Sequence, residues 1–200
     1  MRENLFEIVD SARALQFLKD GNQRYVSGKT MRQSDDSRDR TELAEKSQRP
    51  FAAVFGCSDS RTAPEILFDV GIGQLFVVRT AGNVADAISI GSMEFAVSNF
   101  FVPLILVMGH EKCGAVAGAV SGADFGPNIG AIVREIQPSL EKMRSAGDEG
   151  VEQRCENENI RHTVAKLNSS PILSQYVKDK KLLILGAKYG LNTGVVNFDI

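Results

Sequence analysis

The stretch FAAVFGCSDSR at positions 51–61 joins a short apolar run to a group of polar and charged side chains. The run at 51–55 is continuously apolar rather than alternating, which is typical of a strand covered by helices on both faces. Three further runs have the same character, at 75–78, 104–108 and 182–185. The pattern predicts four buried parallel strands.

Helical patterns lie between these runs. Residues 85–100 carry Ile88 and Phe95 among apolar positions at near-helical spacing, and similar patterns occupy 129–144 and 152–167. Strands that alternate with helices predict an α/β fold, with a mostly parallel β-sheet flanked by helices. Because 200 residues fit one domain of ordinary size, we expect a single domain over 1–200. It would consist of a helical N-terminal arm at 1–48 and an α/β core at 49–200.

The N-terminal arm is predicted to begin with an amphipathic helix over Ser11–Val26, capped by Asp10 or Ser11. The polar stretch at 29–48 is predicted to be a surface connection with one helical turn. The first ten residues mix charges with apolar residues, which argues against a secretory signal. No apolar run reaches the roughly 18 residues of a transmembrane helix.

Composition narrows the function classes further. A formal net charge of −2 argues against a nucleic-acid partner, because phosphate binding needs a basic surface. The three cysteines are odd in number and widely spaced, so they do not suggest a disulfide framework. A reducing compartment is the better expectation. We therefore predict a cytoplasmic protein with neither nucleic acid nor a membrane as its partner.

The residues with the chemistry follow two of the predicted strands. GCSDSR at 56–61 follows the first strand, and GHEKCG at 109–114 follows the third. In parallel sheets, sites form at the carboxyl ends of strands, so Cys57, His110 and Cys113 converge if these two strands are neighbours. Two thiolates and one imidazole are good zinc ligands, and three protein ligands leave the fourth tetrahedral position open, as in catalytic sites. The sequence thus predicts a catalytic Zn²⁺ site.

Asp59 and Arg61 lie two residues apart beside Cys57, so both can project to the same side of a turn. Arg61 can hold the Asp59 carboxylate ionised through a bidentate pair. Such a pair can simply close a loop, or Asp59 can accept a hydrogen bond from the zinc-bound nucleophile. The carboxylate can also bind zinc itself if Arg61 releases it, which would close the site.

The remaining cysteine and histidine, Cys155 and His162, are interpreted as ordinary packed residues, since a lone buried cysteine usually behaves as a small hydrophobe.

Several segments carry a resemblance to a known family. CSDSR at 57–61 and HEKCG at 110–114 resemble the two signature segments of β-class carbonic anhydrases. The segments FVVRTAGN, GSMEFAV and LGAKYG are also similar to that family's pattern; they begin at positions 76, 91 and 185. The similarity extends over nearly the whole chain.

The resemblance implies reversible hydration of carbon dioxide to bicarbonate and a proton by a zinc-bound hydroxide. It assigns Zn²⁺ to Cys57, His110 and Cys113, and the catalytic dyad to Asp59 and Arg61. A carbon dioxide pocket would involve four further positions, Phe76, Ala81, Phe95 and the Gly114 amide. From the residues alone, Phe76 and Phe95 can equally be core residues. The resemblance also implies a homodimer or a dimer of dimers, with the helix at Ser11–Val26 lying on the partner subunit.

The sequence departs from one subset of that family. That subset has an inhibitory bicarbonate site built on a tryptophan three residues before the first cysteine, where this chain has Val54. The chain contains no tryptophan, and Thr62 replaces the valine that the subset carries after the arginine. We therefore expect no bicarbonate switch.

Three other functions remain open at the level of sequence. The zinc site can be structural, in a non-catalytic interaction module with a filled fourth position. Cys57 and His110 can form a metal-independent cysteine nucleophile. The same fold and metal can also act on another small cumulated substrate, such as carbon disulfide. A dinucleotide site is disfavoured, because the glycines at 71 and 73 precede a strand and lack the third glycine.

Overall fold

The computed structural model describes residues 9–31 and 37–200. Residues 1–8 and 32–36, part of the predicted arm, lie outside the described residues. The strands are β1 (Ala52–Cys57), β2 (Leu75–Thr80), β3 (Leu104–His110), β4 (Leu183–Tyr189) and β5 (Val196–Asn197). The helices are α1 (Ser11–Val26), α2 (Ser37–Lys46), α3 (Pro64–Leu67), α4 (Ala87–Phe100), α5 (Gly114–Ser121), α6 (Gly126–Arg144), α7 (Val151–Ser169) and α8 (Pro171–Lys178).

The described strands form one sheet in the order β2-β1-β3-β4-β5. The first four are parallel, and β5 pairs antiparallel with β4. The predicted fold class, an α/β fold with a mostly parallel sheet flanked by helices, is confirmed. The division into an arm at 1–48 and a core at 49–200 stays a prediction.

Alternate residues of the central strands enter two separate cores. Val54 and Leu106 pack on one face of the sheet with residues of α1 and α3. Phe55 and Ile105 pack on the other face with residues of α4, α7 and α8. Because helices cover both faces, every residue of β1 and β3 is buried, which explains the continuous apolar runs.

The observed strands β1, β2, β3 and β4 each extend beyond the apolar runs at their carboxyl ends. Cys57, Thr80, His110 and Tyr189 are the last residues of these strands. The apolar pattern ends early because the residues here serve a polar site while the backbone ladder continues. The polar end of the sheet is therefore formed by strand residues as well as by the loops that follow them.

Helix α1 occupies the predicted range, and the Asp10 side chain caps it by accepting a hydrogen bond from the Arg13 amide at 2.8 Å. Its inner face packs on its own chain, with Ala14 and Leu18 fully buried. The resemblance also implies that this helix lies on a partner subunit, and that stays a prediction.

Two helical predictions need correction. The connection at 29–48 contains the ten-residue helix α2 rather than one turn, and its residues are mostly good helix formers. In α4, Ile88 and Phe95 are 82% and 52% exposed, because the helix turns Met93 and Val97 toward the sheet instead. Within the described part of the chain, no helix is both long and apolar enough to span a bilayer.

Candidate metal centre

Two cysteines and one histidine meet where β1 and β3 end. Cys57 is the last residue of β1, His110 is the last residue of β3, and Cys113 is the N-cap of α5. Because β1 and β3 are hydrogen-bonded neighbours, their carboxyl ends lie at the same edge of the sheet. The ligating atoms of the three side chains lie within 4.8 Å of one another, and the residues are 5%, 1% and 2% exposed, respectively.

The His110 ring is oriented by its own backbone neighbour. Its Nδ1 lies 2.8 Å from the Glu111 carbonyl oxygen, a contact that assigns the proton to Nδ1 because a carbonyl can only accept. This leaves a lone pair on Nε2. That atom is buried and has no hydrogen-bond partner among the described residues. Burial lowers the pKa of His110, but the Cys57 thiolate, the Glu111 carbonyl and the Asp59 charge together raise it overall.

The two cysteines are electrostatically unequal. A hydrogen bond from Cys113 outweighs burial and lowers the pKa of the Cys57 thiol to about 4. His110 and the Gly82 amide, whose nitrogen lies 3.2 Å from Cys57 Sγ, act in the same direction. The pKa of Cys113 is raised, first by its hydrogen bond to Cys57 and then by burial. The surroundings therefore favour the thiolate form at Cys57 and the thiol form at Cys113.

This donor set fits a divalent transition metal. An unpartnered buried imidazole nitrogen costs free energy unless something binds it, and a thiolate stabilised by its surroundings is the form that binds metals. Sulfur and nitrogen ligands bind zinc at about 2.3 and 2.0 Å, so small side-chain movements bring all three atoms to one ion. The three residues of the cluster are thus a candidate metal site.

Asp59 lies beside this cluster and is held by Arg61. Arg61 donates from Nη2 to Asp59 Oδ2 at 2.6 Å and from Nε to Oδ1 at 2.9 Å, and its backbone amide also donates to Oδ1. These hydrogen bonds keep the pKa of Asp59 well below its usual range. Asp59 Oδ2 is 3.9 Å from His110 Nε2, so an anionic acceptor faces the cluster.

Sequence reasoning left Arg79 without a role in the site, although the structure gives it one. Its side chain donates from Nε to the Cys57 carbonyl at 2.8 Å and from Nη2 to the Asp59 carbonyl at 2.5 Å. Thr62 Oγ1 donates to the Asp59 carbonyl at 3.0 Å. The side chains of Arg79 and Thr62 thereby hold the backbone of the turn that carries Cys57 and Asp59. The available signal was a charged residue directly after a predicted buried strand, because buried charges need partners.

Comparison with known proteins decides the family. The model of the carbonic anhydrase family matches residues 52–196, which include every residue of the candidate metal centre. The chain belongs to the β-carbonic anhydrase family.

Relatives and solved structures support this assignment. A carbonic anhydrase from Mycolicibacterium smegmatis is 44% identical over 184 residues, which cover 90% of this chain and 88% of that protein. Carbonic anhydrase 2 from Mycobacterium tuberculosis is 41% identical over 182 residues, covering 88% and 87%. A tetrameric β-carbonic anhydrase from Sordaria macrospora has the same fold, with a TM-score of 0.72 at 21% identity, covering 94% of this chain and 97% of that one. The chain is thus an enzyme, a lyase of the carbonic anhydrase type.

Two of the four pocket residues predicted for this carbonic anhydrase lie at the cluster. Ala81 follows Thr80, the register partner of Cys57, and Gly114 follows Cys113 as the exposed first residue of α5. Nothing lies within 4 Å of a side chain built at Gly114, so its backbone is open to a ligand.

The other two residues predicted for the pocket, Phe76 and Phe95, lie away from the cluster. Phe76 pairs with Ala53, four residues before the Cys57 pair, which is about 13 Å along the strand. Its ring is 6.1 Å from that of Phe100, which in turn is 5.6 Å from Phe95. Strand register therefore keeps these rings away from the cluster of their own chain. The alternative interpretation of Phe95 as a core residue is wrong, because the residue is 52% exposed.

The third cysteine of this carbonic anhydrase lies outside the ligand set. Cys155 is fully buried among apolar side chains, as expected for a small hydrophobe. Burial, followed by the charge of the neighbouring Glu156, raises the pKa of Cys155 to about 11. Val54, at the position of the regulatory tryptophan, is fully buried in the core of β1.

Proposed function

We propose that this protein hydrates carbon dioxide reversibly to bicarbonate and a proton at a Zn²⁺ ion held by Cys57, His110 and Cys113. The observation that supports the proposal is the convergence of three buried donor atoms, one of them an unpartnered imidazole nitrogen, within 4.8 Å. Membership of the carbonic anhydrase family supplies the reaction. When bound there, zinc acts as a Lewis acid that lowers the pKa of a water molecule to about 7.

Asp59 is proposed to orient the attacking oxygen. Its carboxylate faces the cluster at 3.9 Å from His110 Nε2, and its charge is maintained by Arg61. An ionised carboxylate only accepts hydrogen bonds, so it fixes where the proton of the nucleophile points and leaves a lone pair free for carbon dioxide. Arg61 acts through Asp59, by holding the carboxylate away from the metal position.

The substrate pocket is proposed to include Ala81 and the Gly114 amide from one subunit. The first amide of a helix has no partner within the helix, so Gly114 can donate to a substrate oxygen. If Phe76 and Phe95 line a pocket as predicted, they line that of a second copy, because register separates them from the cluster of their own chain. This supports a homodimer or a dimer of dimers.

We propose a cytoplasmic location. The described residues contain three free cysteines, and two of them have to remain reduced to bind metal. A reducing compartment provides that condition.

The experiment that tests the proposed function measures zinc content and carbon dioxide hydration on the same purified sample. We expect about one zinc per chain, activity that disappears on zinc removal, and recovery when zinc is returned. Cys57→Ser and Cys113→Ser are expected to lose most of the metal and the activity.

Cys155→Ser is the matched control, since it changes a buried cysteine outside the ligand set, and it is expected to retain zinc. Zinc retention in both ligand variants would exclude the proposed site. Activity that persists without metal and is blocked by thiol alkylation would instead identify a cysteine nucleophile.

A further inference from the structure

One face of α7 carries a row of polar side chains directed at the ligand Cys113 and at residues 82–85, the segment that follows β2. The row consists of Glu156, Asn159, Thr163 and Lys166, at a spacing that places all four on one face of a helix. Each bonds to backbone outside α7. The backbone partners are the Cys113 amide and the carbonyl oxygens of Gly82, Asn83 and Ala85.

Glu156 lies directly behind Cys113. One carboxylate oxygen accepts from the Cys113 amide at 3.4 Å, and the other forms an ion pair with Lys188 Nζ at 2.7 Å. The two side chains are 3% and 15% exposed, so a nearly buried ion pair stands against the backbone of a ligand. A buried ion pair is weak support for stability, because apolar side chains of similar volume often stabilise as much. Its position at Cys113 suggests a role in the site.

Asn159 is linked to the other cysteine ligand, Cys57, by two hydrogen bonds that both involve Gly82. Its Nδ2 donates to the Gly82 carbonyl at 2.7 Å, and the Gly82 amide donates to Cys57 Sγ at 3.2 Å. Gly82 has φ 69°, and a side chain there would lie 2.9 Å from the Ala115 side chain. The orientation of the donor to Cys57 thus depends on how Asn159 holds this residue.

We propose that α7 positions both thiolate ligands for the metal, with Glu156 acting through the Cys113 amide and Asn159 acting through Gly82. Both are positioning residues. Residues that orient metal ligands typically change metal affinity by about 10–100-fold when they are replaced. This proposal rests on the proposed zinc site. It adds two positioning residues of α7, a helix that carries none of the three metal ligands.

The first test compares two carboxylates of the same helix. Glu158 is also paired with a lysine, Lys142, and its side chain is only 10% exposed, but none of its contacts described here involves a ligand segment. Zinc dissociation constants of metal-free Glu156→Ala and Glu158→Ala are measured by competition with a chelator. We expect zinc binding to weaken at least tenfold in Glu156→Ala and to stay within about twofold in Glu158→Ala.

Two further readouts separate positioning from general stability. With Co²⁺ in place of zinc, the sulfur-to-cobalt absorption of Glu156→Ala is expected to shift, while that of Glu158→Ala matches the wild type. Glu156→Gln retains an acceptor for the Cys113 amide, so it is expected to restore most of the lost affinity. Equal zinc affinity and equal cobalt spectra for the two alanine variants would overturn the role of Glu156.

The second test uses Asn159 and does not depend on whether Glu156→Ala folds. Asn159→Ala is compared with Thr163→Ala, which removes a bond to Asn83 rather than to the residue that contacts Cys57. We expect a loss of zinc affinity and a cobalt spectral shift only in Asn159→Ala. The same effect in both variants would overturn the positioning role of Asn159, because it would show that the polar side chains on this face of α7 only stabilise the fold. Absence of zinc binding by the wild type would instead contradict the proposed function itself.

Discussion

Replacing Asp59 by asparagine retains the size of the side chain and removes its charge. In the folded protein the carboxylate accepts three hydrogen bonds from Arg61, and these hold its pKa below its usual range. An amide offers one acceptor oxygen instead of two and places a donor where the carboxylate accepted. The variant therefore loses the anionic acceptor beside the cluster.

A catalytic role of Asp59 predicts a large loss of rate on substitution, whereas a purely structural ion pair with Arg61 predicts only a small loss of stability. The Arg61 side chain is 53% exposed, and an ion pair of such a residue contributes little to stability. Loss of a positioned group at a reacting centre typically costs on the order of a hundredfold in rate. We expect kcat of Asp59→Asn to fall by about a hundredfold, with zinc retained and little change in Tm.

Arg61→Ala is expected to lose activity as Asp59→Asn does, but through a different arrangement of the metal site. Asp59 Oδ2 lies 3.9 Å from His110 Nε2, so a carboxylate released by Arg61 has only a short distance to cover to reach the metal. We expect zinc to be retained and a crystal structure to show Asp59 as a protein oxygen ligand in this variant alone.

The assay is stopped-flow hydration, with the metal content measured on every sample. Asp86→Asn is the matched control, because Asp86 is an exposed carboxylate that caps α4, and asparagine caps helices about as well. Its turnover is expected to equal that of the wild type. Near-normal turnover by zinc-loaded Asp59→Asn would reduce the pair to a structural contact and refute its catalytic role.

Three further predictions concern other parts of the chain. Because Val54 stands at the position of the regulatory tryptophan, we expect bicarbonate inhibition without cooperativity, and a sigmoidal inhibition curve would contradict this. Burial raises the pKa of Cys155 from 9.0 to about 11, so its stabilising contribution is complete below pH 9 and is lost as the pH rises to about 11. In urea unfolding, the wild type should lose about 2–3 kcal/mol more than Cys155→Ala between pH 9 and 11. A side chain at Gly21 would lie 1.9 Å from the Phe68 carbonyl oxygen, whereas one at Gly91 meets nothing within 4 Å. We therefore expect Gly21→Ala to lower Tm strongly and Gly91→Ala to leave it unchanged or slightly higher.

The sheet and the ligand cluster were predictable because their signals are local. Continuous apolar runs reveal strands buried on both faces, and Cys57 and His110 come at the ends of two such runs. Only one assumption was needed, that β1 and β3 are neighbours, and the strand order confirms it. The spacing of Asp59 and Arg61 likewise indicated their pairing.

Contacts between distant segments could not be predicted in the same way. Glu156 lies 43 residues from Cys113, and nothing in a polar helical pattern shows which polar residue faces the sheet. The exposed Phe95 was misleading for a related reason, since apolar spacing alone does not reveal whether a helix turns that side toward its own sheet or outward.

The location of the zinc ion itself tests the account most directly. A crystal of the purified protein, with diffraction recorded on both sides of the zinc absorption edge, gives an anomalous difference map that identifies the metal and its ligands. We predict one zinc peak per chain, bonded to Cys57 Sγ, His110 Nε2 and Cys113 Sγ, with Asp59 still paired to Arg61. A zinc peak at any other residues, or no zinc at this cluster in active protein, would contradict the account.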